Sequence, residues 1–205
     1  MHRIRVRAVV ILILFSSKAL AQEWPFELWH DGKVILTSGD TLRGVIKYDL
    51  QQDLIQFGYK NESRVEAFAP RKVLMFEIFD ATAKKYRNFY SLPYSPSSSY
   101  GVLSFFELLT EGKLTLLCRE SLEYRTYSSP YYYGSYSRLV MVYRYFFMDE
   151  KGRISEFSGK RPELMNLMGR QAPDVDKYIR ANRLRIENKD DFIKIIAYYN
   201  SLFVN

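Results

Sequence analysis

The residues that carry the commonest catalytic and metal chemistry are nearly missing: 205 residues hold one cysteine and two histidines. A single thiol forms no intramolecular disulfide, so stability has to come from a packed core. Cys118 ends the apolar run Leu114 to Cys118, where a free cysteine behaves as a small hydrophobe rather than a nucleophile. Past the first two dozen residues only His30 remains, too little for a histidine zinc site or a Ser-His-Asp triad. The patterns GxGxxG, GxxxxGK[ST], HExxH, GxSxG and CxxC do not occur, so no cofactor, metal or nucleophile site is expected. Ten glycines and seven prolines are too few for a fibre, and 47% apolar residues are too many for a disordered chain.

Long hydrophobic runs are also missing. The longest, Ala8 to Phe15, is flanked by His2, Arg3, Arg5 and Arg7 on one side and interrupted by Lys18 on the other. In a helix it spans about 12 Å, well short of a bilayer core of about 30 Å. Ala19 and Ala21 then place small residues at −3 and −1 before Gln22. This three-part pattern predicts a secretory signal peptide over 1–21, cleaved before Gln22, with no transmembrane segment afterwards. The net charge of +7 is largely a property of that leader. Without Arg3, Arg5, Arg7 and Lys18 the remainder has 26 basic and 23 acidic residues, or +3. No basic stripe survives, and Arg180, Arg183 and Arg185 are interleaved with Asp174, Asp176 and Glu187. A nucleic-acid partner is therefore not expected.

What is present reads as β first and α last. In Leu42 to Tyr48, Leu42, Gly44, Ile46 and Tyr48 share one face while Arg43 and Lys47 share the other, the alternation of a half-buried strand. Residues 22–80 are expected to form a small β-domain, an antiparallel meander closing into a small barrel or sandwich. Residues 81–158 are expected to form an aromatic-rich antiparallel block. Its hairpins turn at Thr110–Lys113 and Asp149–Gly152, each with a late glycine. After Ser158 the period changes to helical, and 159–205 are expected to hold two to three helices packed on the β body, with an α+β fold overall. Pro162 and Pro173 suit first turns, and Asn188 suits a cap before the stripe Phe192, Ile195, Ile196, Tyr199.

Two segments rich in tyrosine and serine, 90–100 and 124–136, hold nine of the seventeen tyrosines. Read as loops, they offer Tyr94, Tyr100, Tyr127, Tyr131, Tyr132, Tyr133 and Tyr136 as a partner-binding set, since flat amphipathic rings with small polar spacers suit recognition. The same tyrosines also suit plain surface loops with rings laid over nearby core. The leading expectation is an exported, non-enzymatic envelope protein, in the periplasm or at the outer membrane or cell surface, binding an envelope protein or glycan. A hydrolase using paired carboxylates among Glu107, Glu111, Glu120 and Glu123 is one alternative. A structural subunit of an outer-membrane assembly, docked through the C-terminal helices, is another.

The segment Gly32 to Tyr48, with its GDTLRGVIKY core, resembles the opening hairpin of uncharacterised exported proteins of Bacteroidetes. The tail Lys177 to Leu184 with Asp191 to Asn200 resembles the ending of stand-alone members. That resemblance implies export and a Gram-negative envelope. It carries no site residue, because the family has no known activity.

Overall fold

The computed structural model of the protein describes residues 27–60, 62–95, 101–128 and 134–203; the expected signal peptide lies outside them. The first hairpin joins β1 (His30–Leu36) to β2 (Thr41–Asp49), and Gly39 supplies the left-handed residue of its turn at φ +94°. The alternation in β2 holds, with Gly44, Ile46 and Tyr48 buried and Arg43 exposed. Gly32 and Gly44 face each other across this pair. A side chain on Gly44 would strike the Gly58 carbonyl and the Phe57 ring, and one on Gly32 the Glu77 carbonyl. Both glycines therefore let backbones approach where the sheet coils.

The meander continues through β3 (Leu54–Gly58) and β4 (Val65–Phe68), and a 3-10 turn at Pro70–Lys72 leads into β5 (Val73–Asp80). Four strands follow: β6 (Lys85–Tyr94), β7 (Val102–Thr110), β8 (Thr115–Ser128) and β9 (Ser135–Met148). The short β10 (Ile154–Glu156) ends the β part. All ten strands make one antiparallel sheet in the order β10-β9-β8-β7-β6-β5-β1-β2-β3-β4. Because β5 pairs with β6, the two expected β blocks share this sheet. The sheet is open, with β4 and β10 as its edges. Instead of closing as a barrel, the N-terminal meander hands its ladder on to β6.

Pairing places Val34, Phe76, Phe89, Glu107, Cys118 and Tyr145 in one row across six strands, hence on one face. At one end of that row β1–β7 enclose an aromatic core, in which the Phe76 and Phe89 rings stack at 4.5 Å and Tyr48 meets three rings edge-on. At the other end three helices cover β8 and β9: α1 (Arg161–Met168), α2 (Ala172–Ala181) and α3 (Lys189–Ser201). Asn188 caps α3 by accepting from the Asp191 amide. The stripe Phe192, Ile195, Ile196 and Tyr199 is buried, with Phe192 among the rings of Tyr145, Phe147 and Phe157. At the far end of α3 the buried Asn200 amide accepts from the Leu114 N–H and donates to the Leu114 carbonyl, both at 2.9 Å, fixing the β7–β8 turn.

On the opposite face Phe106, Leu117 and Phe146 form a smaller core. The doubled apolar runs Phe105-Phe106, Leu116-Leu117 and Phe146-Phe147 thus reflect burial on both faces, where alternation gives way to continuous hydrophobicity. Cys118 is 1% exposed, and burial pushes its thiol well above the ordinary range. No helix among the described residues is long and apolar enough to cross a membrane.

Candidate functional site

The described parts of the two tyrosine segments lie mostly in strands. Tyr94 ends β6 and lies half-buried against the smaller core, meeting Phe106 at 5.7 Å and Phe146 at 5.1 Å edge-on. A strand-end tyrosine beside two phenylalanines gains more by burying its ring than by facing water. Tyr127 and Tyr136 also lie in strands, directly opposite each other on β8 and β9. Tyr100, Tyr131, Tyr132 and Tyr133 lie outside the described residues.

Both segments do emerge at the same end of the sheet, because β6–β7 and β8–β9 are successive hairpins. They reach different heights. From the Glu107–Cys118 pair, β7 extends back only to Val102 while β8 runs on to Ser128. The difference is five residues, roughly 17 Å at strand rise. Beyond Cys118, β8 pairs with β9 alone. The outer half of the β8–β9 hairpin is therefore a two-stranded arm. Arg119 anchors its base, 3.1 Å from Asp53 in the β2–β3 turn, and Asp53 also accepts from the Tyr48 hydroxyl at 2.6 Å.

The arm is held by cross-strand pairs, because little is packed against it. On one face the Tyr127 and Tyr136 rings stack at 5.6 Å and Arg138 lies over Tyr127 at 5.1 Å. On the other face Thr126 and Ser137 share a hydrogen bond of 2.8 Å, and Tyr124 stands 77% exposed. Tyrosine and threonine suit strands and gain from such pairs, which is why a segment that reads as loop forms a ladder. Arg125 and Arg138 are direct opposites. Among the described residues neither has a carboxylate partner, whereas Arg144 reaches Glu123 at 2.9 Å. Like charges placed face to face are unfavourable without a counter-ion.

A second polar constellation lies inside the fold. Midway along the face that carries both cores, Arg87 donates to Glu107 at 2.9 and 2.8 Å and to Glu120 at 2.6 Å. Lys189, the first residue of α3, reaches Glu107 at 2.8 Å, and Asp80 sits 3.5 Å from Arg87. Of the four acidic candidates, the structure thus brings Glu107 and Glu120 together and leaves Glu111 and Glu123 elsewhere. Burial alone would raise the Glu107 carboxyl. The hydrogen bonds and charge of Arg87, with the charge of Lys189, outweigh it and hold Glu107 below the usual carboxylate range. Held below the usual range by two cations, Glu107 is unsuited to act as a general acid. Its use is mechanical: it ties the start of α3 to three strands. Sequence reasoning overlooked Arg87 and Lys189. The available signal was that Arg87 shares strand parity with Phe89, placing a charge on an inward face.

Family models, curated proteins and solved structures were each searched, and none matches this chain.

Proposed function

We propose that this chain is an exported, non-enzymatic binding protein of a Gram-negative cell envelope that holds a protein or glycan partner on its β8–β9 arm. The observation that carries this reading is the arm itself. Past the end of β7, residues 124–128 and 135–139 run on as a two-stranded arm that carries a stacked tyrosine pair and two arginines with no acid partner among the described residues. A stabilising element would bury such groups, whereas a recognition surface presents them. Export rests on the basic start, short apolar run and small-residue site of residues 1–21. The likeness of the first hairpin to exported proteins of Bacteroidetes agrees with it. The docked-subunit alternative loses its motive, because the apolar stripe of α3 is spent on the chain's own core.

The test is a crosslinked capture from native envelopes, comparing wild type with Tyr127→Ser/Tyr136→Ser and with Arg125→Ser/Arg138→Ser. Loss of the captured partner with an unchanged melting temperature supports the arm. Capture that survives both changes removes this reading. N-terminal sequencing of the chain from the same envelopes should begin at Gln22, and an intact start at Met1 would contradict export.

A further inference from the structure

The outer edge of β9 is left open in a particular way. β10 covers only Phe146, Phe147 and Met148, and one more bond follows, from the Phe157 N–H to the Tyr145 carbonyl at 2.8 Å. The chain then turns off at Ser158 and Gly159, where φ is +81°. From Arg144 to Ser135 no strand pairs with this edge among the described residues. Since Tyr145 presents its backbone outward, the period of two turns the amides of Tyr143, Met141 and Leu139 outward as well.

A groove of about 590 Å³ runs along this edge. Its lining takes five consecutive β9 residues, Met141 to Tyr145, together with Arg125 of β8. Phe157 and Ile186, both buried, close the end next to β10. The lining includes Tyr145, whose buried hydroxyl has no hydrogen-bond partner among the described residues. The two faces of the edge differ. Tyr143, Met141 and Leu139 stand on the helix side, while Arg144, Val142, Val140 and Arg138 stand on the other, with Arg125 across from Arg138. Arg144 is already met by Glu123 and Glu156, whereas among the described residues Arg138 and Arg125 have no carboxylate within ion-pair distance.

We infer that the β9 edge from Arg144 to Ser135 accepts an extended segment of a partner protein as an eleventh strand, apolar on the helix side and bearing a carboxylate opposite Arg138. The main chain of that segment supplies the outward amides with partners, and the alternating side chains supply selectivity. Its carboxylate takes the place of the counter-ion that the facing arginines lack. This inference rests on the arm being the binding surface.

The probe is a fluorescent capped peptide of about nine residues alternating valine and threonine, with one glutamate placed to meet Arg138. It is titrated with the full chain and followed by anisotropy. Saturable binding is expected. Methylation of alternate amide nitrogens on the edge meant for β9 should abolish it, while methylation of the other edge should leave it intact. Arg138→Glu should weaken the glutamate peptide about tenfold and restore binding to a lysine counterpart. Equal binding of the two methylated peptides, or no binding at all, overturns the inference. So does a concentration-dependent dimer that the peptide fails to dissociate, since a second copy would then occupy the edge. If arm variants lose their envelope partner while the peptide never binds, the arm reading stands and this one falls. If capture survives those variants, the arm reading fails first.

Discussion

The two halves of the β8–β9 hairpin share one unbroken ladder and differ in nearly everything else. In the inner half Leu116, Leu117, Phe146 and Phe147 are all at most 3% exposed, held between the helices and the smaller core. In the outer half Tyr124 is 77% and Tyr136 56% exposed, and contacts run mainly from strand to strand. Main-chain pairing continues through both, so pairing is not what distinguishes them. The inner half is fixed by burial worth about 1.5–3 kcal/mol for each large apolar side chain, the outer by cross-strand pairs worth about 0.2–1 kcal/mol each. One part of the hairpin serves the fold, and the other is free to serve a surface.

Breaking the inner half should have the largest effect. Ile196→Asp sets a charge into the fully buried stripe of α3 and should cost at least about 3 kcal/mol of a typical total of 5–15. A thermal melt should show the whole transition lowered; a normal melt would mean that α3 is not part of the core. Next comes the junction between the two cores. Arg87→Met leaves Glu107 and Glu120 with Lys189 alone and should cost about 3–5 kcal/mol. Because Glu107 is depressed in the folded state, its contribution is present above its unfolded pKa and is lost as pH falls through the folded value. Wild type should therefore lose stability below about pH 4, and Glu107→Gln should flatten that part of the profile in melts taken across pH. Asn200→Ala removes the buried amide from the β7–β8 turn and should cost about 1–3 kcal/mol in a urea titration. Smallest is Tyr127→Ser with Tyr136→Ser, expected within about 1 kcal/mol of wild type. If that pair melts as low as Ile196→Asp, the outer half is core after all and the contrast collapses.

The local features of this fold were legible in the sequence. The alternation in Leu42 to Tyr48 gave the inward face of β2, the late glycines Gly112 and Gly152 marked real turns, and Asn188 capped the helix it precedes. What was not legible depends on which strands become neighbours. That β1 pairs β5, and β5 then β6, decides between an open sheet and a closed barrel, and no short-range pattern encodes it. The same holds for Tyr94, which packs on the smaller core only because Phe106 and Phe146 arrive from other strands. Arg87 meets Glu107 and Glu120, and Lys189 meets Glu107, from separations of 20 residues and upward. The arm was misread for a compositional reason: serine, tyrosine and a proline suggest a loop, and only the register of Tyr127 on Tyr136 reveals the ladder.

The ionic junction also bears on the order in which the chain can be completed. Asp80, Arg87, Glu107 and Glu120 are all present once β8 exists, giving three carboxylates to one guanidinium, and the second cation, Lys189, comes only with the C-terminal helix. A chain emerging from its N-terminus at a ribosome therefore carries an excess of negative charge at this junction until that helix docks. Docking of α3 becomes the step that locks both cores together, and intermediates stopped before residue 189 should stay sensitive to protease while the full chain resists. Late closure of this kind keeps a nascent polypeptide pliable until its last helix is in place.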